Sequence, residues 1–345
     1  MFLPVELIIH FLWLIGGFVL LYYGAEWLVK GASEIALRLG ISPLVVGLTV
    51  VAFGTSMPEL LVCLKANSPE VIAIPAGWFG FHIDAGITSP DMALGNIVGS
   101  NIFNIALILG VAAVIRPVVV HMQLLRRELP ILMGSSIVFL LMMSDKHLAR
   151  WEGCLLGSGI FIYVIANVLL SRKAKYAAQF EEFEQEEIEQ AKKGGSRIIV
   201  DVVLIFLGIV ALVFGADWLV VHGEQIAVIF GVPDVIISLT LFALGTSLPE
   251  LATAIVAALK RQGDIITGNA IGSCIFNILA VLGITAAVKP VCGKAIAWLD
   301  LGVMMGLTII IVPLMWSSMK LNRNEGVGLV IAALAYSVLV VVIQR

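Results

Sequence analysis

Long apolar runs alternate with short polar segments along the whole chain. An apolar run of about 20 residues is the length that an α-helix needs to cross the hydrocarbon core of a bilayer. The pattern therefore predicts ten transmembrane helices, five on each side of a central polar segment. The predicted spans lie near residues 7–29, 43–64, 93–115, 124–144, 151–171, 198–221, 235–259, 265–288, 296–318 and 326–343.

Two stretches inside these spans are nearly identical. Residues 54–60 read Gly-Thr-Ser-Met-Pro-Glu-Leu, and residues 245–251 read Gly-Thr-Ser-Leu-Pro-Glu-Leu. A second shared pattern, Gly-Asn-x-x-Gly-Ser-x-Ile-Phe-Asn, follows each of them at residues 95–104 and 268–277. Two large copies of one unit are typical of membrane transporters, which form their binding site where the copies meet. The chain is therefore predicted to be an internal duplication.

The composition supports a membrane protein. Hydrophobic residues make up 60% of the chain and charged residues 13%, and the mean hydropathy is +1.05. These values lie far from those of a soluble globular domain. The predicted fold class is an all-α polytopic membrane protein, embedded in the lipid bilayer, with no nucleic-acid partner. The sequence leaves the oligomeric state open.

The distribution of lysine and arginine predicts the orientation, because cytoplasmic loops collect these residues. Most of them fall in loops on the side of the central segment, which places that segment in the cytoplasm and both termini outside. Five spans per copy then insert the second copy upside down, which predicts inverted repeats. The expected parts are a first repeat at 1–170, a cytoplasmic acidic linker at 171–197 and a second repeat at 198–345. The membrane is predicted to be a prokaryotic inner membrane.

The two copies differ in one loop. From Glu59 to Gly95 there are 36 residues, whereas from Glu250 to Gly268 there are 18. The first copy therefore carries an insert near residues 68–88, on the outer side, for which a cap over the outer ion entrance is a hypothesis. The acidic linker is interpreted as a solvated helix, since its glutamates lack the spacing of an EF-hand loop.

Two glutamates in apolar surroundings carry the candidate chemistry. An ionised group at mid-membrane costs roughly 2.5 to 3.5 kcal/mol on insertion scales, so Glu59 and Glu250 are expected to bind a cation. Thr55 and Thr246 precede the glutamates by four residues and share a helix face with them. The pairs Ser100 with Asn104 and Ser273 with Asn277 repeat this four-residue spacing.

Prolines add a second source of oxygen ligands. Pro58 and Pro249 stand directly before the glutamates and remove a backbone donor, which frees a carbonyl about one turn upstream. The carbonyls of Ala52 and Ala243 are further candidates. Broken helices are tolerated at mid-membrane where they line a cavity. The predicted set of carboxylate, amide, hydroxyl and carbonyl oxygens suits a hard cation such as calcium or sodium.

The cysteines do not change this assignment. Cys63, Cys154, Cys274 and Cys292 are far apart and form no C-x-x-C pair, so neither zinc nor a disulfide framework is indicated. Cys274 stands where the first copy has Asn101, which predicts unequal ligand sets in the two copies. No cofactor is expected beyond the transported ions, and no catalytic residue is predicted.

The four motif stretches resemble the two alpha-repeats of the calcium/cation antiporter superfamily, with the prokaryotic sodium/calcium exchanger branch as the best match. This resemblance implies exchange of sodium for calcium by alternating access, in which the first and sixth helices slide over the other eight. It implies that Glu59 and Glu250 are the central ligands. The surrounding ligands that it implies are Thr55, Ser56, Ser100, Asn104, Thr246, Ser247, Ser273 and Asn277.

The sequence also departs from the family pattern and leaves alternatives open. Some members carry Asp in place of Asn277, so ion stoichiometry and potassium dependence stay open. A proton/calcium antiporter, or one for another divalent cation, would use the same carboxylates. A channel and an intramembrane metalloenzyme are the remaining alternatives. The enzyme is disfavoured because the chain has no H-E-x-x-H motif.

Overall fold

The computed structural model describes residues 5–68, 90–173, 198–230, 243–293 and 296–343. Most of these residues are helical, and four two-residue strands connect helix ends. The helices are α1 (Val5–Leu39), α2 (Pro43–Thr55), α3 (Met57–Asn67), α4 (Pro90–Ile115), α5 (Leu124–Asp145), α6 (Arg150–Lys173), α7 (Ile198–Ile229), α8 (Ala243–Gly245), α9 (Leu248–Leu259), α10 (Gly263–Val288), α11 (Trp298–Ser318) and α12 (Arg323–Ile343). The strands are β1 (Val118–Val119), β2 (His147–Leu148), β3 (Val291–Cys292) and β4 (Lys320–Leu321).

Helices occupy every predicted span within the described part of the chain, which confirms the all-helical membrane fold. By length and composition, seven described helices can cross a membrane, or eight if the bent pair α2–α3 counts as one span. The seventh predicted span is described only from residue 243, as α8 and the short apolar helix α9. The number ten and the inverted repeat therefore stay predictions. Residues 69–88 of the predicted insert and residues 174–197 of the predicted linker lie outside the described residues, whereas 171–173 form the end of α6.

Helix α1 is longer than its apolar run. Its 35 residues correspond to about 50 Å at 1.5 Å per residue, which exceeds the roughly 30 Å hydrocarbon core. Hydropathy alone places its end near residue 29, but the helix continues to Leu39. The extension is stabilised by Arg38, whose Nε lies 2.6 Å from Oδ2 of Asp201 on α7 and which also reaches Glu34 at 3.4 Å.

Helices α1 and α7 run antiparallel and touch backbone to backbone. A Cβ added to Gly24 would lie 2.9 Å from the carbonyl oxygen of Gly208, and one added to Gly208 would lie 2.8 Å from that of Gly24. Gly17 and Gly215 have the same reciprocal relation, at 2.9 Å each way. Gly24 is equivalent to Gly215 in the other copy, and Gly17 is equivalent to Gly208, because each of these pairs is 191 residues apart. The two contacts therefore exchange with one another when the copies are exchanged. The contact therefore has the two-fold relation that an inverted repeat requires.

The strands form two short antiparallel pairs that connect loops at the two ends of the molecule. Strand β1 pairs antiparallel with β4, and β2 with β3. The first pair places Arg116 beside Arg323, whose Nη2 donates to the Ile115 carbonyl at 3.3 Å. The second pair adjoins Lys146, whose carbonyl accepts a hydrogen bond from the Gly293 N–H at 2.9 Å. The basic residues that the sequence assigns to opposite sides thus lie at opposite ends, which supports the predicted grouping.

We expect a Gly208→Ala substitution to destabilise the protein by about 1 to 3 kcal/mol, because the added methyl group overpacks the contact between α1 and α7. The matched control is Gly306→Ala on α11, where no described atom lies within 4 Å of the added Cβ. Alanine there gains helix propensity and should be neutral or stabilising. The measurement is thermal unfolding in detergent, and equal midpoints for the two variants would contradict the packing argument.

Candidate cation-binding site

Both glutamates lie directly after a break in a helix. Helix α2 ends at Thr55, Ser56 is non-helical with φ −84° and ψ 7°, and α3 begins at Met57 with a bend of 42°. Helix α8 ends at Gly245, and α9 begins at Leu248. Pro58 and Pro249 occupy the first turns of the new helices, where a missing N–H costs nothing. Glu59 and Glu250 therefore lie at helix N-termini, whose positive dipole ends favour negative charge.

The second motif brings its asparagines to the same level through another irregularity. Helix α4 changes from α-helical to π-helical geometry at Asn104, and α10 makes the same change at Asn277. Short π-helical segments are rare and frequently accompany functional sites, since the extra residue shifts the following side chains around the helix. The duplication therefore extends to a backbone feature that sequence reasoning did not predict.

All ten predicted ligand side chains are buried. Glu59 and Glu250 have no solvent-exposed surface, and none of the other eight is more than 3% exposed. The motif side chains therefore lie inside the protein and not on its outer surface. The eight are Thr55, Ser56, Ser100, Asn104, Thr246, Ser247, Ser273 and Asn277.

Ser100 is the centre of the hydrogen-bond network that joins the two copies. Its hydroxyl donates to Oε1 of Glu59 at 3.2 Å and accepts from the amide groups of Asn104 at 3.3 Å and Asn277 at 3.0 Å. The hydroxyl oxygen of Ser247 lies 3.2 Å from the hydroxyl oxygen of Ser100. One serine of the first copy thus contacts its own copy's glutamate and two residues of the second copy.

Hydroxyl groups of each copy face the carboxylate of the other. Ser56 Oγ donates to Oε1 of Glu250 at 3.3 Å, and Thr55 also faces Glu250. In the reverse direction, the hydroxyls of Thr246 and Ser247 face Glu59. The two carboxylates are close enough to repel one another. Two buried like charges of this kind require a compensating cation or a proton.

Asn96 and Asn269 belong to the network, although sequence reasoning did not single them out. Thr55 Oγ1 donates to Oδ1 of Asn269 at 3.1 Å, and Thr246 Oγ1 donates to Oδ1 of Asn96 at 3.0 Å. These equivalent contacts cross between the copies in opposite directions. The signal in the sequence was the duplicated Gly-Asn at the start of the second motif, which the spacing argument left unused.

Several buried oxygen atoms of the site have no hydrogen-bond partner among the described residues. An unsatisfied buried polar atom costs roughly 1 to 3 kcal/mol, so a cluster of them calls for a ligand. Five such atoms belong to predicted ligand residues, and all five can act as acceptors, which makes them suitable for a hard cation. They are Oε2 of Glu59, Oε2 of Glu250, Oδ1 of Asn104, Oδ1 of Asn277 and Oγ of Ser273.

The predicted backbone ligands differ between the copies. The carbonyl of Ala52 accepts the Ser56 N–H at 3.0 Å, so the break does not free it as expected. The reason is that the Ser56 N–H still completes the last turn of α2, two residues before the position where Pro58 removes a donor. In the second copy the Ser247 N–H bonds to the Leu244 carbonyl instead, at 3.1 Å. Ala243 begins α8 there.

Cys274 makes the two halves of the site unequal, as its sequence position predicts. Asn101 Oδ1 accepts a hydrogen bond from Asn277 Nδ2 at 3.1 Å, which orients that amide group. Cys274 has no side-chain oxygen for the equivalent contact with Asn104, and its thiol donates weakly to the Asn101 carbonyl at 3.8 Å.

Within the described residues, no group of three or more His, Cys, Asp or Glu is placed to hold a metal ion.

A helical membrane fold with two broken helices and a buried oxygen-lined site defines the chain as a cation transporter. The profile of the family described as "Sodium/calcium exchanger protein" matches residues 9–170 and 200–342. The chain belongs to the sodium/calcium exchanger family. Members of this family are transporters and not enzymes, and the chain is an integral membrane protein.

Individual relatives cover nearly the whole chain. The inner membrane protein YrbG of Escherichia coli is 36% identical over 92% of both chains. The sodium/calcium exchanger MaX1 of Methanosarcina acetivorans is 30% identical over 96% of this chain and 98% of its own. A solved structure of the sodium-calcium exchanger NCX_Mj, soaked with Na⁺ and Sr²⁺, is 26% identical, covers 95% and 97% of the two chains, and has a TM-score of 0.77.

A Ser100→Ala substitution should destabilise the protein by about 1 to 3 kcal/mol, because it removes the described hydrogen bonds of Ser100 to the Glu59 carboxylate and the Asn104 amide, and one of the two made by the Asn277 amide. The matched control is Ser136→Ala, since buried Ser136 donates only to the Leu132 carbonyl of its own helix at 2.8 Å. Chemical or thermal unfolding in detergent compares the two variants. A loss of stability at Ser100 no larger than at Ser136 would show that the network does not hold the site together.

Proposed function

We propose that the protein exchanges sodium for calcium across the membrane by alternating access, with both ions bound at Glu59 and Glu250. The observation that carries this proposal is the set of buried acceptor oxygens that have no partner among the described residues, contributed by both copies around two carboxylates. Calcium takes six to eight oxygen ligands in a flexible geometry, and such a cluster provides carboxylate, amide and hydroxyl oxygens together.

Competition for the carboxylates explains exchange. Two ionised glutamates neutralise one calcium ion or two sodium ions, so each ion can replace the other without leaving unpaired charge in the membrane. Both carboxylates are fully buried, which makes an empty, ionised site costly. The protein would then change its access only with ions bound, and this requirement couples the two fluxes.

The pair α1–α7 is the proposed moving unit. Its two helices are joined by the glycine contacts and by the ion pair of Arg38 with Asp201, which is 2.6 Å long and less than 10% exposed at both side chains. The link from α1 to the end of α9 is weaker, since Lys260 Nζ lies 3.0 Å from Oε1 of Glu26 with both side chains one-third exposed. Strong bonds within the pair and weak bonds to its neighbours favour sliding as one body.

The proposed location is a prokaryotic inner membrane, with both termini outside and the linker in the cytoplasm. The grouping of the basic residues at the two ends supports this orientation, and the relative YrbG is an inner membrane protein. The two family matches, at 9–170 and 200–342, support two repeats joined by a linker. The insert near 68–88 as an outer cap stays a hypothesis.

A proton/calcium antiporter is the second candidate, because protons can also neutralise Glu59 and Glu250. Calcium-45 uptake into proteoliposomes distinguishes the two functions. The vesicles are loaded with sodium, potassium or choline, or are given a proton gradient. We expect uptake only with internal sodium, and a sodium ionophore should abolish it. Uptake driven only by protons would establish the second candidate, and no uptake under any gradient would refute both.

Glu59→Gln and Glu250→Gln should each reduce sodium-driven calcium uptake at least 100-fold, because a neutral amide cannot balance the charge of the ion. The matched control is Glu128→Gln. Glu128 is also fully buried, but it accepts a hydrogen bond from the Tyr163 hydroxyl at 2.9 Å, away from the site. The control should retain uptake, and uptake near the wild-type rate in either site variant would refute the assignment.

A further inference from the structure

A cavity of about 430 Å³ lies at the end of the molecule where β1 pairs with β4. It is bounded by Ser33 and Leu37 of α1, by the segment Arg116–Val119, and by the turn between α9 and α10. None of the candidate cation ligands is among its described lining residues. The cavity thus lies between the proposed moving helix α1 and the rest of the protein, on the side that we assign to the cytoplasm.

Positive charge predominates in the cavity. Arg116 and Arg261 both line it, and neither forms an ion pair or hydrogen bond with a side chain that the structure describes. His121 lies 3.0 Å from Asp264, and this hydrogen bond raises the pKa of His121 above its usual value. Two arginines and a histidine of raised pKa therefore face one carboxylate, so the cavity carries a net positive charge. The charge suits an anion.

Arg261 is held in an unfavourable backbone conformation. Its φ is +64°, at the position after the C-cap of α9 where glycine is the usual residue. The turn is a complete Schellman motif, with the Gln262 N–H bonded to the Ala257 carbonyl at 2.9 Å and the Arg261 N–H to that of Ala258 at 3.2 Å. A cationic residue that lines the cavity at the expense of backbone strain suggests a role in binding.

A further feature indicates what kind of anion fits. Helix α10 begins at Gly263 in the cavity wall, and its first N–H groups add hydrogen-bond donors and a positive dipole end. Together with Arg116 and Arg261, these donors match a phosphate group.

Exposed apolar side chains belong to residues that line the cavity or are close in sequence to residues that line it. Val119 and Met122 are 49% and 41% exposed, and Leu39 and Leu259 are 60% and 62% exposed. They flank the polar cavity where the helices leave the hydrocarbon region. A polar anion site beside lipid-facing side chains is the arrangement expected for a headgroup whose acyl chains stay in the bilayer.

We propose that this cavity binds the phosphate of an anionic phospholipid, for which phosphatidylglycerol is the probe, through Arg116 and Arg261. A bound lipid would join α1 to the turn before α10. Its effect on exchange rests on the proposed function, but its binding does not. A failure of lipid binding is therefore distinguishable from a failure of calcium transport.

The test is thermal unfolding of the full chain in detergent, with added phosphatidylglycerol, phosphatidylcholine or soluble glycerophosphate. We expect phosphatidylglycerol to raise the wild-type midpoint by several degrees, phosphatidylcholine to have little effect, and added salt to weaken the shift. Soluble glycerophosphate alone could also raise the unfolding midpoint. If the Arg116 and Arg261 variants lose that rise, the phosphate site is supported and its ligand is a soluble phosphate. Equal midpoints in all three additions would overturn the proposal.

Arg261→Gly separates binding from a structural role. Glycine suits the left-handed backbone, so this variant without lipid should unfold at the wild-type temperature or above, yet lose most of the phosphatidylglycerol shift. Arg116→Gln combined with it should abolish the shift. The matched controls are Lys146→Gly, a cation with φ +58° at the opposite end, and Arg150→Gln. A phosphatidylglycerol shift that persists in the double variant would refute the site.

Discussion

The structure depends on the burial of two carboxylates in surroundings that cannot hydrate them. Glu59 and Glu250 have no exposed surface, and each keeps one oxygen without a hydrogen-bond partner in the described structure. Moving an ion into a low-dielectric medium is costly unless opposite charge and oriented dipoles replace the lost water. Helix N-termini and hydroxyl groups from the opposite copy provide part of that replacement, and the proposed cation would provide the rest.

The broken helices follow from the same constraint. A continuous helix would direct every backbone dipole along its axis and leave no N-terminus at the level of the glutamates. The breaks before α3 and α9 place new helix starts there, and Pro58 and Pro249 fit because the first turn has N–H groups without intrahelical partners in any case. The π-helical segments begin at Asn104 and Asn277, and the amide groups of these two residues both donate to the Ser100 hydroxyl.

The two copies form one site without being identical. Thr55 with Asn269 and Thr246 with Asn96 are equivalent contacts, and each crosses from one copy to the other. Asn101 orients Asn277, whereas Cys274 cannot do the same for Asn104. Ser100 is fully engaged, while Oγ of Ser273 has no described partner. Unequal surroundings would give the ion positions on the two sides different affinities, which an exchanger of ions with different charge can use.

The sequence by itself determined the membrane class, the helical spans, the family and the duplicated motifs, because hydropathy and motif spacing are local properties of the chain. Tertiary structure decided the rest. The extension of α1 to Leu39 depends on Arg38 meeting Asp201 of α7, and the roles of Asn96 and Asn269 depend on contacts between residues at least 150 positions apart. The Ala52 carbonyl stays bonded because the Ser56 N–H completes the last turn of α2. The contacts between copies follow from how the two copies pack together, and a duplicated motif does not show which of its residues will meet.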